Sequence, residues 1–239
     1  MSVQMIFQRY EIKYLLNREQ KQAVLQAMQN RMELDQYGRT TIRNVYFDTN
    51  NFRLIRRSLE KPCYKEKLRI RSYQQVGPDD PVFVELKKKY RSVVYKRRLT
   101  LPEGQVKQSF LANTPLPVDS QIGDEIQYFR NYYKTLQPTV FLSYEREAYA
   151  PLDDSDFRVT LDENILYRQE DLSLRSPVYG SPILPSDKTL MEIKTSGGIP
   201  LWMTHVLTEQ GIYKTSFSKY GTAYQLIFQN EMQGGLHYA

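Results

Sequence analysis

The stretch YKEKLRIRSY, residues Tyr64 to Tyr73, decides how the fold is interpreted, because charged and apolar residues alternate along it. Its basic residues occupy every second position: Lys65, Lys67, Arg69 and Arg71. Leu68 and Ile70 lie between the last three of them. Successive side chains of a β-strand point to opposite faces. The stretch therefore predicts a strand with four cations on one face and two aliphatic side chains on the other.

The same alternation recurs in four other parts of the chain. They are RYEIKYLL from Arg9, VFVELKKK from Val82, FRVTLDEN from Phe157 and LMEIKTS from Leu190. An antiparallel sheet commonly packs one face on the core and leaves the other polar. Five strands with charge on one face therefore predict a shared polar surface. The stretch FLSYEREAY follows the pattern less well, since the charged Arg146 falls on the same strand face as the aromatic Tyr144.

Composition is that of a globular protein that carries its charge unevenly. The 239 residues are 41% hydrophobic and 25% charged, with a net charge of +6. The segment from Lys61 to Arg98 contains twelve basic and four acidic residues, so its net charge of +8 exceeds the +6 of the whole chain. Such focusing favours a polyanionic partner, although a single charged run is more often a solvated face.

Other features of the sequence bear on location. The sequence has one cysteine, Cys63, and no apolar run as long as the roughly 18 residues that a membrane span needs. We expect a cytoplasmic protein with no membrane segment of its own. A membrane partner stays possible, and the oligomeric state is not predicted.

Helical segments separate and follow the predicted strands. Asn17 is placed to cap a helix over residues 18–33, and two further helices are predicted over 122–136 and 201–210. A fourth begins near Ser218. The sequence has no repeat or linker, so we predict one α+β domain over residues 1–239. Charged strand faces can close into an antiparallel barrel with a polar lumen and helices outside, and we predict that the cations of Tyr64 to Tyr73 line this tunnel.

Eight motifs in order resemble one known family, the VTC domain. They are RYEIKY, YFDT, YKEKLRIRSY, FVELKKKYRSVVYKRR, SYEREAY, FRVTLDENI, LMEIK and SFSKYGTA. The VTC domain is the polyphosphate polymerase domain of vacuolar transporter chaperone proteins and their bacterial relatives, within the CYTH or triphosphate tunnel metalloenzyme group. The resemblance runs from about Arg9 to about Tyr224. It implies a tunnel barrel that binds triphosphate and a divalent metal, and that transfers the γ-phosphate of ATP to inorganic polyphosphate.

The resemblance also assigns residues. Those implied to be catalytic are Lys13, Arg69, Arg71, Lys87, Arg146, Arg158 and Lys219. Those implied to bind substrate are Arg9, Lys67, Lys194 and Ser218. Glu192 and Glu11 are the implied ligands of Mn²⁺ or Mg²⁺.

Two positions depart from the family pattern. Arg9 stands where the wider group often has one of its alternating glutamates, so a metal ligand is missing there. Ser216 stands where VTC polymerases have a lysine, and Lys214 is the nearby candidate to replace it.

The residue types agree with phosphoryl transfer, which needs positioning and charge neutralisation more than covalent catalysis. The sequence has no GxxxxGK[ST] loop, so a P-loop does not hold the phosphates. A triphosphate hydrolase and a non-catalytic polyphosphate or inositol phosphate binding module are the alternatives, and a nucleic acid is not expected as a partner. Glu11, Glu85 and Glu192 on the cationic face favour metal-assisted catalysis over a purely electrostatic binder.

Overall fold

The computed structural model describes residues 10–91 and 93–235. The strands are β1 (Tyr10–Leu16), β2 (Met32–Leu34), β3 (Thr40–Asp48), β4 (Tyr64–Ser72), β5 (Pro81–Tyr90), β6 (Val93–Pro102), β7 (Gln137–Pro151), β8 (Arg158–Arg168), β9 (Ser181–Pro182), β10 (Thr189–Thr195) and β11 (Lys214–Thr215). The helices are α1 (Arg18–Met28), α2 (Arg53–Leu59), α3 (Glu103–Leu111), α4 (Gln121–Tyr132), α5 (Leu201–Glu209) and α6 (Lys219–Gly235). Within this part of the chain, no helix is both long enough and apolar enough to cross a bilayer. The α+β class predicted from the sequence is confirmed.

The described residues form two compact units, and β7 and β8 each contribute to both. The first unit contains residues 10–41, Tyr144–Ile165 and Leu184–Phe217. Its strands follow the order β11, β1, β10, β8 and β7, with β2 paired to the end of β7. The apolar faces of β1, β8 and β10 pack on α1 and α5, in a core that includes Leu16, Val159 and Ile193. Their opposite faces carry the charged residues.

The second unit contains Ile42–Ser143, Leu166–Ile183 and residues 218–235. Its strands follow the order β7, β3, β4, β5 and β6, and β9 pairs with the end of β8. Leu68 and Ile70 of β4 pack with Val84 and Leu86 of β5 in the core of this unit. The side chains of YKEKLRIRSY therefore alternate between two faces as the sequence predicts. The aliphatic residues are buried, and the cations lie on the other face.

Closure of the barrel is the part of the fold prediction that strand pairing does not confirm. Among the described strands, β11 is at one end of the hydrogen-bonded order and β6 is at the other. No backbone pairing between these two strands closes the sheet. The finding is a large antiparallel sheet with six helices.

The helices differ from the sequence predictions in length and number. The first helix is correctly capped, because the Asn17 side chain accepts a hydrogen bond from the backbone of Gln20. It ends at Met28 and not at residue 33, since Asn30 has a φ of 59° and Met32 begins β2. The helices α2 and α3 were not predicted from the sequence.

Candidate functional site

A cationic face in the second unit is formed by alternate residues of neighbouring strands. Arg69 of β4 lies directly opposite Tyr46 of β3 and Glu85 of β5, and Glu85 lies opposite Arg98 of β6. Side chains opposite each other in an antiparallel pair share a face. Lys65 and Lys89 form one end of this face, and its other charged residues are six cations and one carboxylate: Lys67, Arg69, Arg71, Lys87, Lys96, Arg98 and Glu85. We call this set the phosphate face.

Glu85 organises the phosphate face. Its carboxylate is almost completely buried and contacts Arg69 at 2.7 Å, Lys96 at 2.8 Å and Arg98 at 2.5 Å. Burial opposes ionisation of Glu85, but Arg69, Arg71 and Lys96 hold its pKa well below the usual range. Glu85 therefore holds three cations in position. This structural role explains why a carboxylate lies on the cationic face, and it requires no metal.

Polar partners on β3 orient the two arginines of β4. The Arg69 guanidinium donates to the Tyr46 hydroxyl at 2.9 Å, and the Arg71 guanidinium donates to the Asn44 side chain at 2.8 Å. Burial alone would raise the pKa of Tyr46, but the charges of Arg69, Lys67 and Arg71 lower it to about 8. The positive charges of the phosphate face therefore favour the ionised form of this buried phenol.

The start of α6 adds to the same face. The Lys67 ammonium donates to the Ser218 hydroxyl at 3.1 Å, and this hydroxyl accepts the backbone N–H of Gly221 at 3.1 Å. Lys219 follows as the first residue of α6 and is buried. Lys87 lies opposite both Lys67 and Lys96 in the sheet. The structure thus groups Lys67 and Ser218 with the two arginines of β4 within one unit.

A second cluster, in the first unit, surrounds Glu192 of β10. The buried Glu192 carboxylate lies 3.2 Å from the Lys13 ammonium, 3.5 Å from the Arg146 guanidinium and 3.7 Å from the Lys194 ammonium. Lys13 also contacts Glu11 at 3.4 Å and donates to the carbonyl of Phe217 at 3.1 Å. We call this set the Glu192 cluster.

Arg146 is the best anchored cation of the Glu192 cluster. Its guanidinium donates to both oxygens of Asp162, at 2.6 and 2.7 Å. Burial opposes its charge, but Tyr144, Asp162 and Glu192 raise its pKa well above the ordinary value. Burial and the nearby Arg146 lower the pKa of Lys194. Arg158 is exposed at the start of β8, opposite Lys194.

The Glu192 cluster contains oxygen groups that could hold a divalent metal ion. Among residues 10–91 and 93–235, no three His, Cys, Asp or Glu side chains are grouped to hold an ion by themselves. Glu11 and Glu192 nevertheless contact the same lysine nitrogen. Thr160 lies opposite Glu192, and its buried hydroxyl has no hydrogen-bond partner among the residues that the structure describes. Mg²⁺ commonly binds one or two carboxylates and takes its other ligands from phosphates and water. These residues fit such an ion.

The predicted site residues divide between the two clusters. Lys67, Arg69, Arg71, Lys87, Ser218 and Lys219 belong to the second unit, and Glu11, Lys13, Arg146, Arg158, Glu192 and Lys194 belong to the first. Arg9 lies outside the described residues. Lys214 lies opposite Tyr14, whereas Lys13 lies opposite Thr215, so Lys214 does not share the face of Lys13.

Sequence reasoning missed several members of both clusters. Lys96 and Arg98 alternate within YKRRL and could have been assigned to a strand face from that pattern. Thr160 lies on the charged face that the alternation in FRVTLDEN predicts, but its position opposite Glu192 depends on strand register. The same holds for Asn44 opposite Arg71 and for Tyr46 opposite Arg69.

The family comparison agrees with this arrangement. The family model of the VTC domain matches residues 8–228, which is nearly the whole chain. The chain belongs to the VTC domain family.

Two solved structures are similar in fold to this VTC domain. A protein of Bacillus halodurans assigned as an adenylate cyclase is 17% identical, with a TM-score of 0.54 over 88% of this chain and 95% of that one. A Hippeastrum protein assigned as an adenylyl cyclase, with a dominant triphosphatase activity, is 18% identical, with a TM-score of 0.50 over 88% of this chain and 92% of that one. At these identities the likeness concerns the fold alone. No curated protein matches the chain.

Proposed function

We propose that this VTC domain is a metal-dependent polyphosphate polymerase, which transfers the γ-phosphate of ATP to a growing inorganic polyphosphate chain. The observation that carries the proposal is the phosphate face, with six cations around one buried carboxylate in a chain of this family. Transferring a phosphoryl group requires positioning and charge stabilisation, which fixed arginines and lysines supply.

The phosphate face suits a chain of phosphates better than a single one. Arginine forks can bind phosphate oxygens at two points, while lysines act as point charges. Arg69 and Arg71 are held by Tyr46, Glu85 and Asn44 and need little reordering when an anion arrives. Polyphosphate carries about one negative charge per phosphate, so a face with an excess of positive charge can bind several consecutive units.

The Glu192 cluster has a different charge balance. Its three close cations, Lys13, Arg146 and Lys194, face three carboxylates, Glu11, Asp162 and Glu192. We propose that Glu192 and Glu11 hold a Mn²⁺ or Mg²⁺ ion, with the Thr160 hydroxyl beside them. A divalent ion bound here would neutralise charge that develops on phosphate oxygens. Lys13 and Arg146 would then orient the phosphates that complete the coordination.

The closed barrel with a polar lumen and the single domain over residues 1–239 belong to the same proposal. An experimental structure with bound tripolyphosphate tests it. A structure in which Lys67, Arg69 and Lys87 face bulk solvent and bind no phosphate would contradict the tunnel.

Purified protein incubated with ATP and Mn²⁺, assayed for free phosphate and for a long anionic polymer, tests the activity. Polymer formation supports the polymerase. Phosphate release without polymer would show a triphosphate hydrolase of the same fold, and neither product would show a binding module. Omission of the metal should abolish product formation.

A further inference from the structure

The second unit contains a cavity of about 540 Å³ that lies on the core side of its sheet. Val45 of β3 and Ile70 of β4 contribute to its lining, together with Val106 of α3 and Leu174. Small-molecule pockets usually have volumes of about 300–1,000 Å³ and predominantly apolar walls. The cavity has the size and lining of a ligand site.

The charged residues that line this cavity are mainly basic. They are Glu103, Lys107, Arg130 and Lys134. Glu103 is buried and forms an ion pair with Arg175, so its charge is already compensated. Lys107 and Lys134 are exposed. The cavity thus combines an apolar interior with uncompensated positive charge.

Arg130 provides the second observation, because it is a buried cation with neutral partners. Its guanidinium donates to the carbonyls of Thr114 at 2.8 Å and Ser109 at 2.9 Å. It also donates to the side chains of Gln127 and Asn113 at 3.0 and 3.2 Å. Within the described residues these acceptors carry no formal charge, and burying a charge without a counter-ion costs free energy. An anion in the adjoining cavity would supply the missing negative charge.

We infer that this cavity binds an amphipathic anion, with a flexible apolar chain in the interior and one acidic head group beside Arg130, Lys107 and Lys134. A long-chain carboxylate is the class of ligand that these walls fit. The apolar chain would contact Val45, Ile70 and Leu174, and the head group would meet the basic residues.

This site is distinct from the phosphate face. Ile70 lines the cavity, while Arg69 and Arg71, its neighbours in β4, point to the opposite face. On β3, Val45 lines the cavity between Asn44 and Tyr46 of the phosphate face. A ligand of the cavity and a phosphate chain therefore bind to opposite faces of the same two strands, and the inference does not depend on polymerase activity.

Isothermal titration with laurate tests the inference, with dodecanol and dodecyltrimethylammonium as chain-matched neutral and cationic probes and acetate as the head group alone. We expect one saturable laurate site and no measurable acetate binding. Dodecanol should bind roughly three- to tenfold more weakly than laurate, the range of one modest charge contribution. Equal or tighter binding of the cationic probe would overturn the proposed charge preference.

Paired variants locate the site. Lys107→Gln combined with Lys134→Gln should lower laurate affinity towards that of dodecanol, whereas Lys61→Gln combined with Lys188→Gln, two lysines outside the cavity, should not. Val106→Phe or Leu172→Trp should fill the cavity and abolish binding. Unchanged laurate affinity in a folded filled variant would place the ligand elsewhere.

Methyl NMR of the unmodified protein gives a test that does not depend on variants folding. Laurate should shift the methyl resonances of Val45, Ile70 and Leu174, which line the cavity. The methyls of Val159 and Leu161, in the core of the first unit, should stay unchanged. Shifts spread over both cores, or absent from the cavity methyls, would overturn the inference.

Discussion

Arg69 and Arg71 are the residues from which the function can be tested most directly. Each is held on the phosphate face by polar partners, Arg69 by Tyr46 and Glu85 and Arg71 by Asn44. We expect Arg69→Ala and Arg71→Ala each to abolish turnover of ATP with Mn²⁺ while circular dichroism stays that of the parent. The reason is that, on the proposed function, the lost groups bind phosphate, and neither contributes to the apolar core.

Arg97→Ala is the matched control for these variants. Arg97 lies on β6 between two phosphate-face cations, but it is opposite Leu86 and contacts Glu125 at 3.3 Å on the other face. Its removal should leave turnover within about twofold of the parent, as for most changes away from a site. If the Arg69 and Arg71 variants unfold and keep normal activity in the folded fraction, these arginines are structural.

Glu192 tests the metal assignment. Its carboxylate is surrounded by Lys13, Arg146 and Lys194, so a purely structural ion-pair role is the competing explanation. We expect Glu192→Gln to remove Mn²⁺-dependent turnover, since the amide is a poorer ligand for a hard cation. Nucleotide binding without metal should be retained or strengthened, because a negative charge is lost near the phosphates. Glu163→Gln, an ion-paired glutamate outside the cluster, serves as control.

Retention of both turnover and metal dependence in Glu192→Gln would place the ion on other residues. Titration of the free variant with Mn²⁺, followed by electron paramagnetic resonance, would separate loss of the metal from loss of activity.

Tyr46 gives a pH-dependent signal for the occupancy of the phosphate face. Its pKa of about 8 lies below the ordinary value of 10, because Arg69, Lys67 and Arg71 outweigh the effect of burial. The ionised phenol therefore contributes stability that is fully present above about pH 10 and is lost as the pH falls through about 8. Absorbance near 295 nm should show this early titration, and Tyr46→Phe should remove it.

Tripolyphosphate should raise the pKa of Tyr46, because bound phosphates offset the positive charge that stabilises the phenolate. An unchanged Tyr46 titration at saturating tripolyphosphate would show that the anion binds away from this face.

At the residue scale, the sequence predicted the cations well and their partners poorly. Alternation within β4 and β5 is local, so Lys67, Arg69 and Lys87 could be assigned to one face from the sequence alone. The side chain of Asn44 meets Arg71 across 27 positions of the chain, and this contact depends on strand register. Residue type and spacing contain no information on that register.

Asp48 connects several elements of the second unit. Its buried carboxylate accepts the backbone N–H groups of Leu54 at 2.8 Å and Ile55 at 3.0 Å at the start of α2. It also accepts the Tyr220 hydroxyl of α6 at 3.0 Å, and the Tyr220 ring stacks on Tyr46 at 4.6 Å. One side chain on β3 therefore fixes the ends of two helices.

We expect Asp48→Ala to lower the free energy of unfolding by about 2–4 kcal/mol, since a helix cap is lost and buried donors are left without acceptors. Urea unfolding measures the change, and Asp79→Ala, an exposed aspartate, should change stability by less than about 0.5 kcal/mol. An equally small effect at Asp48 would show that α2 and α6 are held by other contacts.

At the element scale, helices with a local cap were predictable and α2 was not. Asn17 and Ser120 cap α1 and α4 from the adjacent position, which is a signal that sequence can carry. Phe52 precedes α2 with a φ of 56° and makes no side-chain cap, because Asp48 supplies the acceptors from the end of β3. The pattern in Arg53–Leu59 therefore lacks a recognisable start.

The charge of the phosphate face affects the stability of the whole molecule. Anions that bind only the folded state raise its stability by about 2.7 kcal/mol at a hundredfold excess over the dissociation constant. For a chain of this size, we expect tripolyphosphate to raise Tm by roughly 5–10 °C. Orthophosphate at equal concentration should have a smaller effect, and 0.5 M NaCl should reduce the shift by screening. A shift that persists in Arg69→Ala would contradict the assignment of this face.

At the scale of the whole molecule, the sequence predicted the α+β class and the family. It does not determine whether the sheet closes into a barrel. Whether two terminal strands pair depends on the twist accumulated over many strands and on bulges, and neither is encoded in a local period. Hydrogen bonding in the described strands leaves β6 and β11 unpaired with each other, although each charged strand face was correctly assigned.

The two faces of β4 have different roles, and this restricts the insertions and deletions that the strand can accept. Ile70 faces the cavity and the core, while Arg69 and Arg71 lie on the opposite, phosphate face. Inserting one codon between Leu68 and Arg69 would shift the following residues by one position and exchange their two faces. Both the proposed anion-binding face and the cavity wall would be lost together. A change of two residues keeps every following side chain on its face, whereas a change of one does so only if a β-bulge absorbs it.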